Sequence, residues 1–213
     1  MKFQTLLFVI AFACSAQSSR CDVIYNTFGP SQSFSNDGWV IMGSEASGGF
    51  VYSQSVAEQF RPNETANLSS IQIPLICFFG TNSFVINLAM DNSGLPGTII
   101  ETFILADVPS FQTIETLSSA LHPLLVNNAS YWLEVMPGDT TTSGAWMSRD
   151  PAPDNGSTYL AFDDGTGWNI SGFTVGPQAF EIDGAAVPEP ATVVIVGLGT
   201  LYLVGTRCKF KFF

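Results

Sequence analysis

The run Ile71-Gln72-Ile73-Pro74-Leu75-Ile76-Cys77-Phe78-Phe79 decides the fold class. Its odd positions, Ile71, Ile73, Leu75, Cys77 and Phe79, fall on one face of an extended chain, because successive side chains of a strand point to opposite sides. Pro74 has no backbone N–H and predicts an edge position or a bulge within the run. Next along the chain, Phe84, Ile86, Leu88 and Met90 alternate with Val85, Asn87 and Ala89. That run closes on Asp91-Asn92-Ser93-Gly94-Leu95-Pro96-Gly97, which is turn chemistry. The same period of two predicts strands over 23–28, 39–42, 56–60, 99–106, 113–117, 131–136, 158–162 and 178–183. In the last of these Phe180 and Ile182 face inward, Glu181 and Asp183 outward. From Gly138 to Gly156 the chain reads as a long loop excursion with one short strand near Trp146. Helix-period patterns are absent from residues 22–186, so the expectation is an all-β body: a single antiparallel β-sandwich, jelly-roll-like, with about nine or ten short strands.

The ends read differently. Residues 1–16 carry Lys2, an apolar run from Phe3 to Ala13 and the small residues Cys14-Ser15-Ala16, the pattern of a secretory signal peptide cut near Ala16. Ala13-Cys14 leaves a lipoprotein-type cut as the alternative. Residues 187–213 begin with Val187-Pro188-Glu189-Pro190, continue as an uncharged apolar run over 191–206 and finish with Arg207, Lys209 and Lys211. As a helix, 191–206 spans roughly 24 Å against roughly 30 Å of hydrocarbon, so flanking residues must help it cross. The trailing cations stay cytoplasmic by the positive-inside bias. With a cleaved leader, this places the body outside the inner membrane.

Together, the Pro-Glu-Pro triplet, the Gly-punctuated apolar run and the basic end resemble the PEP-CTERM sorting signal of exported bacterial proteins. The resemblance implies processing by an exosortase, with Pro188, Glu189 and Pro190 as the recognised motif. Residues 191–206 would then be a temporary transmembrane helix, and the destination the cell surface or extracellular matrix. The basic end departs from the family pattern, being interrupted by Cys208, Phe210, Phe212 and Phe213. More loosely, Val23 to Pro30, Val56 to Pro62, the Asp91 to Gly97 turn and Ala129 to Val135 resemble the "choice-of-anchor" sandwiches that precede such tails. That likeness implies an exported sandwich and supplies no catalytic residue.

Charge narrows the function classes. Residues 22–186 hold 17 acidic side chains against Arg61 and Arg149, a net of −15. Such a body repels a phosphate backbone, which excludes nucleic acid as a partner.

No catalytic constellation, metal site or cofactor motif emerges. His122 is the sole histidine and reads as a solvated loop residue. Clustered Cys and His ligands are lacking, and the Asp91-Asn92-Ser93-Gly94, Asp150/Asp154-Asn155 and Asp163-Asp164-Gly165 groups lack EF-hand spacing and read as turns. Glu58, Glu101, Glu115 and Glu134 supply carboxylates for a glycan-acting hydrolase, but nothing in the sequence pairs them, and they read as solvated. Cys21 and Cys77 are the two cysteines of the exported part: either a disulfide joins them, or Cys77 is a buried free thiol and Cys21 lies free near the new amino terminus. Trp146 and Trp168, each beside Gly-rich turns, are the candidates for stacking on a sugar ring. Five Asn-x-Ser/Thr triplets, at Asn63, Asn67, Asn128, Asn155 and Asn169, are idle in a bacterial host. The reading is therefore a non-enzymatic surface or matrix protein. The alternatives are a carbohydrate-binding module, with or without calcium, and a hydrolase.

Overall fold

The computed structural model describes residues 21–46, 53–150, 160–170 and 177–187. The leader, the Pro188-Glu189-Pro190 motif, the 191–206 run and the basic end Arg207, Lys209 and Lys211 lie outside the described residues. Thirteen strands occur among the described residues, in two antiparallel sheets packed face to face. One sheet has the order β1 (Cys21–Asn26), β13 (Glu181–Ala186), β4 (Ala66–Phe79), β10 (Ser143–Arg149), β2 (Phe34–Met42). In it β7 (Thr113–Ser118) and β8 (Leu124–Leu125) pair with the free side of β4. The other runs β12 (Trp168–Ile170), β11 (Leu160–Asp163), β3 (Ser55–Phe60), β9 (Tyr131–Pro137), β5 (Phe84–Asn92), β6 (Leu95–Leu105). The chain crosses between sheets at most connections, the exceptions being β1–β2, β5–β6, β7–β8 and β11–β12, and the core forms from the inward residues of both.

The alternation predicted for residues 71–79 holds as far as Cys77. Ile71, Ile73 and Leu75 are fully buried and Cys77 nearly so, whereas Phe79 emerges at the strand end. Pro74, however, is neither at an edge nor in a bulge; it sits in the longest strand of its sheet. The Cys77 N–H bonds Pro109 and the Ser69 carbonyl bonds Ser119, so odd residues of β4 turn their hydrogen-bonding groups toward β7. The N–H that Pro74 lacks would point the other way. There β4 changes partner, from β13 up to Gln72 to β10 from Leu75, and no ladder bond is lost.

Of the loop excursion expected from Gly138 to Gly156 with one short strand near Trp146, the strand is present and only its extent and pairing are corrected. Residues 143–149 form β10, a strand paired on both sides, with Trp146 opposite Trp39 of β2 and Leu75 of β4. Gly144 is required where it stands. A Cβ there would lie 2.2 Å from the Ile76 carbonyl oxygen and 2.5 Å from the Phe84 ring of the facing sheet. Phe180 and Ile182 are fully buried as expected. Glu181 faces outward but is covered, its carboxylate accepting from the Asn26 and Gln72 side-chain amides.

Candidate ligand-binding face

The six-stranded sheet has two dissimilar faces. Inward, Val56, Phe60, Ile86, Leu88, Leu133 and Val135 join the main core. Outward, Ala57, Ala89, Trp132 and Ala161 form a second apolar cluster, each without exposed surface, with Trp168 packed against it. The edge strand β12 also comes close to the opposite edge β6, so the sheet curls and this outer face is concave. Three alanines leave the room that the Trp132 indole fills, Ala89 directly opposite it and Ala57 and Ala161 paired with each other on the next strands.

Polar groups surround this floor. Asp91 Oδ1 accepts from Trp132 Nε1 and from Gln59 Nε2, both at 2.8 Å, and Oδ2 accepts from the Gly94 N–H. Desolvation pushes the Asp91 carboxyl up, but these donors and the Arg61 charge outweigh it and hold the group below its ordinary range. On the far side, Thr102 Oγ1 donates to Asn87 Oδ1 at 2.8 Å and Asn87 Nδ2 donates to Glu134 Oε2 at 3.0 Å, a chain across β6, β5 and β9. Burial raises the Glu134 carboxyl above its ordinary value; the Asn87 donor opposes that shift and the Asp163 charge adds to it. Half-buried Trp168, opposite Asp163 on β11, lies over the same floor. The face thus offers the Trp168 side chain beside a row of hydrogen-bonding groups from Thr102, Asn87 and Glu134, the chemistry that suits a hydroxyl-rich ligand.

A second polar cluster lies between the sheets. Glu58 alternates with Val56 and Phe60 on the inward side of β3 and has no exposed surface. Its Oε2 accepts the Gln178 N–H. The segment from Gln178 to Phe180 is held at every backbone group: the Gln178 carbonyl by Thr27 Oγ1, Ala179 by Met147 and by Trp146 Nε1 at 2.9 Å, and Phe180 by Thr27. Yet Glu58 Oε1, Arg149 Nε and both side-chain polar atoms of Gln178 are buried without a hydrogen-bond partner. Burial drives the Glu58 carboxyl well above its ordinary value against the pull of the Gln178 N–H. Burial first, then the Glu58 charge, raises the Tyr25 phenol, and the Arg149 charge opposes both.

The sequence-derived candidates divide accordingly. Trp146 is not a stacking residue: it is fully buried, its ring centroid 5.6 Å from that of Phe180, its N–H spent on Ala179. Trp168 stays accessible at the concave face. Glu58 and Glu134, read as solvated, are both buried and lie on opposite faces of one sheet, so they cannot flank a single bond. Glu101 is buried too, accepting from the Ala120 and Leu121 N–H groups and from Ser119 Oγ.

The disulfide reading fails on register. Cys21 pairs with Ala185, which pairs with Asn67, ten residues along β4 from Cys77. At about 3.3 Å per residue that is roughly 30 Å, where a bridge needs Cα atoms within about 7 Å. Both thiols are free, Cys21 exposed and Cys77 buried. His122 is exposed, its Nδ1 3.0 Å from the Leu68 carbonyl oxygen. Of the acidic turns, Asp163 Oδ1 accepts from Gly165 and Gly167 and Asp164 Oδ1 from Thr166, so these oxygens shape their own loop.

The molecule is, as a class, an antiparallel two-sheet β-sandwich with one concave aromatic and polar face. Comparison with known proteins finds no matching family model, no matching curated protein and no matching solved structure.

Proposed function

We propose that this is an exported bacterial surface or extracellular-matrix protein, sorted through Pro188-Glu189-Pro190 by an exosortase, whose body has a non-enzymatic structural or binding role. The tail carries this reading: the Pro-Glu-Pro triplet, the uncharged run 191–206 and the cations Arg207, Lys209 and Lys211 follow one another in the order that export and trimming require. The sandwich, which we read as jelly-roll-like, supports it through the placing of its ends. Cys21 and Ala185 are register partners, so the first and last strands lie side by side and the last strand ends at the body's surface, where a C-terminal membrane segment can follow. Intact mass and fractionation in a host with an exosortase test the proposal. The wild type is expected to be shortened near residue 190 and released to the surface, while a variant with Ala at 188, 189 and 190 stays full-length in the inner membrane. Full-length wild type retained beside the variant would reduce the tail to a plain anchor.

A second reading, carbohydrate binding, is favoured by one observation: half-buried Trp168 shares a concave face with the Thr102, Asn87 and Glu134 chain. On a glycan array, Trp168→Ala is expected to weaken binding about tenfold or more, the usual cost of an aromatic anchor. A chelator arm reports whether calcium contributes. Binding untouched by Trp168→Ala would remove this face as the site.

A further inference from the structure

The end of the sandwich from which the tail departs carries several exposed apolar side chains among polar ones. Leu121 is 67% exposed, Leu124 51%, Val126 47%, Val23 46% and Val187 38%. Leu124, Val126 and Val187 stand at this pole and Leu121 on the loop just above it, while Val23, opposite Asp183, lies farther up the sheet. Ala186, Ala66 and Leu125 are register partners in a row across β13, β4 and β8, so Val187 and Val126, each one residue further on, stand roughly 10 Å apart at about 4.8 Å per strand. The loop carrying Leu121 is built to hold its shape. Buried Glu101, from the other sheet, accepts the Ala120 and Leu121 N–H groups at 2.7 and 3.1 Å; Ser119 Oγ accepts the His122 N–H at 2.9 Å, and the His122 backbone is held at a φ of 47°. A loop anchored by a buried carboxylate thus presents a bare leucine to the outside.

The tail limits what can face that pole. From Val187 to Ala191, where the uncharged run starts, four peptide steps reach at most about 14 Å. The run itself is shorter than the hydrocarbon is thick, which draws its flanks toward the bilayer. A body tethered so closely cannot stand clear of the headgroups, and the surface turned to them carries Leu121, Leu124 and Val126. Arg61, Asp22 and Glu64 are the exposed charges near this pole, too few and too mixed in sign for attachment to charged lipid.

We propose that this apolar pole rests in the interface of the leaflet that holds residues 191–206, so that before trimming the sandwich lies on the membrane in one orientation. The proposal rests on the sorting reading of the tail. Its test is photo-crosslinking of the full chain in phosphatidylcholine vesicles, with benzoylphenylalanine placed in turn at Leu121, Leu124, Val126 and, as control at the opposite pole, Phe111. Alkaline extraction is run alongside. The expected result is a chain resistant to extraction, with lipid adducts at 121, 124 and 126 and none at 111. A resistant chain without lipid adducts at the three positions, with equal adducts at 111, or with adducts only to a second copy of the protein overturns the docking while leaving the tail reading intact. A chain released by alkali overturns both.

Discussion

Trp146→Ala is expected to be the most destabilising single substitution in the body, costing about 3–5 kcal/mol for the lost side chain and the cavity left behind. The indole has no exposed surface, packs edge-on against Phe180 and is the donor to the Ala179 carbonyl. Stranding that carbonyl adds about 1–3 kcal/mol. Together these approach the whole stability of an ordinary domain, about 5–15 kcal/mol. Trp146→Phe separates the two parts: it restores most of the volume, leaves the carbonyl unpaired and should fall between wild type and Ala. Urea unfolding followed by circular dichroism reads all three. A Trp146→Ala midpoint equal to wild type would contradict the buried placement and return this tryptophan to the surface.

Around that tryptophan the sequence showed a short strand, but neither its central place in the sheet nor the burial of the indole. In β4 and β5 large apolar residues recur at every second position, and the strands could be read directly. Along β10 the inward positions are Gly144 and Trp146, and a glycine beside a serine and an alanine has the composition of a turn. What requires the glycine is the Phe84 ring of the facing sheet, a neighbour sixty residues away in sequence. The concave face was hidden for a similar reason: Ala57, Ala89 and Ala161 look like spacers until three strands bring them together under Trp132. Trp168 was legible because its turn is local. Glu58 was legible in principle. It stands between Val56 and Phe60 at a spacing of two, and strand parity alone puts all three on the inward side. Reading it as a solvated carboxylate let residue type override the alternation, and the alternation prevailed.

Glu58 then makes the sandwich sensitive to alkali. Its folded pKa lies well above the ordinary 4.5, so between those values the folded protein keeps a proton that the unfolded chain has released. Stability from this group is fully present below about pH 4.5 and is lost as pH rises through the folded pKa, with a slope of up to about 1.4 kcal/mol per pH unit. Glu134 and Glu181 are raised as well and act in the same direction. The lowered Asp91 acts oppositely, its contribution present above its unfolded value of 3.8 and lost in acid. Glu58→Gln keeps an acceptor for the Gln178 N–H, has no proton to lose and places a donor where Oε1 is now unpaired. The variant is expected to lose less stability than wild type as pH rises above the ordinary carboxyl range of about 4.5, because it has no proton to release there. Denaturant titrations of both proteins across that rise measure it. Parallel curves would mean that Glu58 is ionised in the folded state; its charge would then push the Tyr25 phenol higher than burial alone dictates, against the smaller opposing pull of Arg149.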